Sequence, residues 1–150
     1  MPTSPYPQTL RVYIAQQQLQ QMKVMHDHSV FHLDYDLENQ CLDQDGSIKV
    51  IDFGTSQITT DRIYRISEKV RGWPREVLSK LRKEPSPANL DILFLGVTMF
   101  RASVAEFTNK PIEQQFKLAK DGNPLKNAIE TILGSDHIPS LLELEKLPLF

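Results

Sequence analysis

The chain has 150 residues, 40% hydrophobic and 24% charged, with a net charge of −2 and an isoelectric point near 6.1. That length and apolar content suit one compact domain with its own core and are short for two, and the lack of a basic field excludes the electrostatics of a nucleic-acid binder. A single cysteine, Cys41, excludes an intramolecular disulfide and predicts a reducing, cytoplasmic setting; MPTSPYPQTL lacks a signal peptide's apolar run, and no stretch nears the roughly 18 apolar residues of a membrane span, so no membrane partner is expected.

Residues 1–8 carry Pro2, Pro5 and Pro7 and predict an extended lead-in. Thr9 is then a candidate cap for a helix from Leu10 to His28, in which Val12, Ala15, Leu19, Met22 and Met25 recur at steps of three and four and form a buried stripe. Gln16, Gln17, Gln18, Gln20 and Gln21 are assigned to its wet face. Two short strands follow, Gln40 to Asp43 and Ser47 to Asp52, joined through Asp45-Gly46, a favoured turn pair. Cys41 falls on the first of them and is read as a small buried apolar residue rather than a reactive thiol.

The stretch from 55 to 72 is polar with few apolar anchors, which predicts mobility. Pro74 marks a helix start. Ser86-Pro87 opens the next helix with a capping hydroxyl and a proline at the first helical position. Residues 88–107 are apolar nearly all round, the mark of a central buried helix, and Asp91 inside it needs hydrogen-bond partners to offset its desolvation. Its bland reading is an acidic residue in a helix's first turn, favoured by the dipole. Shorter helices are expected at 111–120 and 124–133, the latter stopped by Gly134, and an amphipathic one from Ile138 to Leu147.

Between Val30 and Ser56 the chain reads VFHLDYDLENQCLDQDGSIKVIDFGTS. His32-Leu33-Asp34, then Asn39, then Asp52-Phe53-Gly54 beyond a hairpin resembles the catalytic loop (His-Arg-Asp with Asn five residues on) and the Asp-Phe-Gly triplet of eukaryotic-type protein kinases. Each piece alone is ordinary; their order, with Asp34 and Asp52 eighteen residues apart, carries the resemblance. It implies a mainly α fold with a small β-hairpin, the kinase C-terminal lobe over 9–150, with catalytic loop 30–39, metal-binding hairpin 40–54, activation-segment-like stretch 55–76 and central helix 88–107. Phosphoryl transfer asks little covalent work of a protein. Asp34 would orient the attacking hydroxyl, and Asn39 and Asp52 would bind magnesium on ATP through hard oxygens. Asp91 through Gly96 fits the family's Asp-x-Trp-x-x-Gly with Leu93 in place of Trp, so Asp91 would accept bonds from the catalytic-loop backbone.

The departures from the pattern are equally specific. The glycines at 46, 54, 72, 96, 122 and 134 never approach G-x-G-x-x-G, and 29 residues precede Val30, so the chain is read as a C-lobe with the N-lobe absent. Leu33 replaces the arginine on which an activation-segment phosphate would dock. Asp36 stands where Ser/Thr kinases carry a lysine, and its carboxylate would oppose a phosphoryl group. Glu76 takes the place of the Ala-Pro-Glu carboxylate, but Val70-Arg71-Gly72-Trp73 lacks the family's Gly-Thr, and the last arginine is Arg101, so Glu76 must find another partner or face water.

Two readings follow. The first is a truncated Ser/Thr kinase-like enzyme, transferring phosphate from ATP to protein hydroxyls when an N-lobe completes it; Ile48 to Ser56 looks most like calcium- or calmodulin-regulated members. The second is a pseudokinase-like binding module with a protein partner, slightly favoured for the chain alone. A small-molecule phosphotransferase of the aminoglycoside-kinase type shares the Asp34 to Asn39 spacing but predicts neither Gly54 nor the buried Asp91 helix. With no N-lobe above it, the face beside the hairpin is expected to expose apolar surface.

Overall fold

The computed structural model describes residues 8–103 and 124–149. Their order is α1 (Gln8–Asp27), a 3₁₀ turn (Leu37–Asn39), β1 (Gln40–Leu42), β2 (Ile48–Val50), a second 3₁₀ turn (Glu68–Gly72), α2 (Arg75–Lys83), α3 (Pro87–Ser103), α4 (Lys126–Ile129) continuing into a π-helical turn (Glu130–Gly134), and α5 (Leu141–Glu145). This is a mainly helical arrangement with one two-stranded antiparallel sheet, as the sequence predicts. The lead-in falls on 1–7, outside the described residues, and Gln8 is already helical. The helix expected at 111–120, residues 104–107 and Phe150 also lie outside them.

Ser86 opens α3 as expected: its Oγ accepts the N–H of Asn89 at 3.1 Å. Beyond it Leu90, Leu93, Phe94, Leu95 and Met99 are fully buried. A helix apolar on every side needs neighbours on every side, and α3 packs against α1, α2, α4 and the π-helical turn. Each such side chain stabilises the fold by roughly 1.5–3 kcal/mol relative to exposure. Gly96 permits the closest of these contacts, since a Cβ there would lie 2.5 Å from Ile132 Cγ2 and 2.9 Å from Leu133 Cδ2.

On α1 the stripe is as read: Ala15, Leu19 and Met22 are buried, with Val12 and Met25 packed against the core. Two expectations fail. Thr9 lies inside the helix and so caps nothing, because Gln8 is already helical. Gln18 is buried rather than wet. Four residues from both Ile14 and Met22, it is carried onto the apolar face by the helical repeat, where its Nε2 donates to Gln40 Oε1 at 2.7 Å and its carbonyl accepts the Tyr35 hydroxyl at 3.0 Å.

The hairpin pairs Gln40 with Val50, Cys41 with Lys49 and Leu42 with Ile48. Its strands are shorter than expected because Asp43 and Ser47 belong to the loop. Asp43 N–H donates to the Ser47 carbonyl at 2.8 Å and Gly46 N–H to the Asp43 carbonyl at 2.9 Å, with Gly46 at φ 83°. That left-handed position is why glycine follows Asp45. Cys41 is exposed, contrary to the buried role assigned to it. α1 touches the ribbon through β2, where Ile48 is buried, and through the Gln18–Gln40 bond, while Cys41 and Leu42 of β1 are exposed.

The last helix starts at Leu141 rather than Ile138, since Pro139 precedes and Ser140 caps it, accepting Glu143 N–H at 3.1 Å. The segment at 124–133 is helical from Lys126, and its final turn widens to π geometry before ending at Gly134.

Candidate active site

Asp91 is wholly buried in the first turns of α3, and the loop after α1 hangs from it. Its Oδ2 accepts the His32 N–H at 2.9 Å and its Oδ1 the Leu33 N–H at 2.8 Å, while His26 Nε2 at the end of α1 lies 2.9 Å from Oδ2. A carboxylate that satisfies two buried amides offsets its own desolvation. The pair also holds Leu33 at φ 66°, a left-handed conformation rare for a branched side chain. The bland reading of Asp91 as a dipole-favoured residue is superseded by these contacts. The Asp91 charge, after burial itself, also pushes the Tyr35 hydroxyl to a higher pKa.

Leu33, where the resembled family has arginine, is fully buried in the core. The His32 ring sits between the loop and the hairpin exit. Its Nε2 lies 2.9 Å from the Ile51 carbonyl, its Nδ1 accepts the Asp34 N–H at 3.2 Å, and Phe53 meets it edge-on at 4.9 Å between centroids. That pattern places the ring hydrogen on Nε2.

Asp34 and Asn39 are brought into direct contact. Asn39 Nδ2 donates to both the carbonyl and the Oδ2 of Asp34, each at 2.9 Å. Both amide hydrogens are thereby used, which leaves Asn39 Oδ1 as the acceptor. Asp34 Oδ1 is buried and makes no hydrogen bond. Asp52 is joined to the pair through its neighbour, since Ile51 N–H donates to the Asn39 carbonyl at 2.8 Å. Asp52 itself is exposed, at φ 58°, with Oδ1 accepting Gly54 N–H at 3.2 Å. No group of three His, Cys, Asp or Glu gathers to form a metal cage among the described residues. Magnesium, which keeps waters and shares phosphate oxygens, does not need such a cage.

Two charged residues depart from the sequence-based expectation: Asp36, expected to oppose a phosphoryl group, and Lys69, which no motif marks. Asp36 is turned inward, 2% exposed, capping the Leu37–Asn39 turn and accepting from Arg101 Nη1 at 2.8 Å. The charge expected to oppose a phosphoryl group is therefore neutralised from the end of α3. Lys69, from the second 3₁₀ turn, reaches across 35 residues of chain to lie 3.3 Å from both Asp34 oxygens and 3.5 Å from Glu38 Oε2. Burial weakens its charge, but the hydrogen bond to Asp34 and the charges of Asp34, Asp36 and Glu38 outweigh that and raise its pKa. The available signal was the crowding of Asp34, Asp36 and Glu38 within five residues, which demands cations from elsewhere. The 55–72 stretch that carries Lys69 is anchored at its end by buried Val70 and Trp73.

Glu76 faces water on α2, beside an open cavity of about 810 Å³ between α2 and the π-helical turn. Lys80 on that wall donates to the Ile132 carbonyl, and burial lowers its pKa to about 8 against the raising charges of Asp136 and Glu84. Beside the hairpin, Val24, Ile51 and Phe53 are exposed, so apolar surface does lie on that face. No helix among the described residues is long and apolar enough to cross a membrane.

No family model matches the chain. Among curated proteins it is similar to serine/threonine protein kinases. It is 31% identical over 77 residues to a probable serine/threonine-protein kinase of Dictyostelium discoideum, covering 51% of this chain and 15% of that protein. It is 26% identical over 125 residues to the serine/threonine-protein kinase CLA4 of Eremothecium gossypii, covering 81% of this chain and 16% of that one. To mitogen-activated protein kinase 5 of Arabidopsis thaliana it is 25% identical over 140 residues, or 91% of this chain and 37% of the relative. The matched region is thus a minor part of each relative, and the likeness is a distant, kinase-like one.

Proposed function

We propose that this chain is the C-terminal lobe of a serine/threonine protein kinase-like phosphotransferase, which itself holds the magnesium-phosphate end of ATP and acts on protein hydroxyls once an N-lobe completes the active site. The observation that carries this reading is the buried Asp34 Oδ1, which makes no hydrogen bond and has only the loosely held Lys69 ammonium 3.3 Å away, while Asn39 holds the other oxygen and the carbonyl. A buried acceptor without a hydrogen bond gains from a better-placed donor, and a substrate hydroxyl is such a donor. Its proton would pass to Asp34 as its oxygen bonds the terminal phosphorus of ATP and the bond to ADP breaks. Magnesium, held by Asn39 Oδ1 and the Asp52 carboxylate, would supply charge neutralisation on the phosphates. The calcium- or calmodulin-regulated subgroup rests on residues 48–56 alone.

The test is calorimetric titration of the 150-residue chain with magnesium-ATP, beside Asp52→Ala. Saturable binding that the substitution weakens at least tenfold is expected; no binding at millimolar nucleotide overturns the reading. A second reading, a pseudokinase-like module whose motif residues only hold the fold, is favoured by the exposed Val24, Ile51 and Phe53. It predicts a protein partner captured through that face and no nucleotide binding.

A further inference from the structure

We propose that Lys69 is the cation presented to the transferring phosphoryl group beside Asp34, supplied by the Glu68–Gly72 turn in place of the charge that Asp36 does not provide. This rests on the phosphotransfer reading above and adds a residue to it.

The argument is one of charge and of distance. Asp34, Asp36 and Glu38 bring three carboxylates to the loop, and among the described residues two cations, Lys69 and Arg101, reach them. Arg101 is consumed by Asp36 in a tight contact at 2.8 Å, within the range of strong charge-assisted bonds. Lys69 is held differently: its Nζ is shared among Asp34 and Glu38 at 3.3 to 3.5 Å, longer than such bonds, and its side chain is 29% exposed. An ammonium has three donors on a flexible stem. One so loosely shared can turn a hydrogen to a phosphate oxygen without leaving Asp34. Without it the approach to Asp34 would present carboxylates to a polyanion, which opposes the electrostatic stabilisation that phosphoryl transfer depends on. Two buried anchors, Val70 within the turn and Trp73 just after it, fix where Lys69 emerges.

The experiment compares magnesium-ATP with magnesium-ADP on the 150-residue chain carrying Lys69→Met or Lys69→Arg, by calorimetry with phosphorus NMR of the γ-phosphate. Lys69→Met is expected to weaken ATP about tenfold, the size of one charge-assisted contact, to leave ADP within about twofold, and to abolish the γ-phosphate shift seen with the native chain. Lys69→Arg is expected to recover most of the loss. Equal weakening of ATP and ADP, or no weakening of either, overturns the role and leaves the phosphotransfer reading standing. Failure of the native chain to bind either nucleotide overturns both. Should Lys69→Met unfold, Lys69→Gln serves the same comparison.

Discussion

Replacing Asp91 with alanine removes the acceptor for two buried amides at once. His32 N–H and Leu33 N–H then have no partner, and the His26 ring loses its contact as well. An orphaned buried donor costs about 1–3 kcal/mol, so the two amides together cost about 4 kcal/mol. Leu33 is also freed from the restraint that holds it at φ 66°. Against the roughly 5–15 kcal/mol of a typical domain this is a large fraction. Urea unfolding followed by circular dichroism is the assay, read as a shift in midpoint at unchanged slope. Asp91→Asn, which keeps one oxygen but turns an amide group towards a backbone donor, should fall between, at about 2 kcal/mol lost. A midpoint for Asp91→Ala within about 0.5 kcal/mol of the native chain would refute the reasoning, because that small a change is what a surface substitution produces.

Gly96→Ala forces a methyl into Ile132 and Leu133 and should cost about 1–3 kcal/mol in the same unfolding assay, despite alanine's better helix propensity; a gain in stability would mean the π-helical turn yields freely. Lys80, with its native pKa near 8 against an ordinary 10.5, links stability to pH. Below pH 8 both states are charged and the native state bears the desolvation, so stability should rise between pH 8 and 10.5, where only the unfolded chain still binds the proton. Thermal melts of the native chain and Lys80→Met across that window should converge in slope only if Lys80 is not the source.

What the sequence showed of the fold were its local signals. The step of three and four on α1, the Asp45-Gly46 turn and the Ser86-Pro87 opening each act within a few residues, and each is where it was read. Even Asp91's need of partners was legible, because a carboxylate in an all-apolar helix has few other fates. The failures are pairings across the chain. Gln18 looks wet beside four other glutamines until Gln40 meets it, and Asp36 looks like a charge facing the site until Arg101 arrives from 65 residues away. Lys69 is one cation among several in a polar stretch, and nothing within its own neighbourhood marks it as the one that reaches Asp34. Asp34 and Asn39 were legible as a pair by spacing, whereas the direction of the Asn39 amide, and hence which Asp34 oxygen it leaves to Lys69 alone, depends on how the loop folds.

Trp73 is the sole tryptophan of the chain, buried at 2% exposure and packed edge-on against Phe94 of α3 at 4.7 Å. It also closes the Glu68–Gly72 turn, its N–H donating to the Val70 carbonyl at 3.1 Å. One chromophore is therefore seated where the Lys69 turn joins the core, with no second indole to mask it. Its emission colour and its quenching by iodide record whether that turn is docked, so the position of the segment beside Asp34 can be followed optically, in real time and without a label.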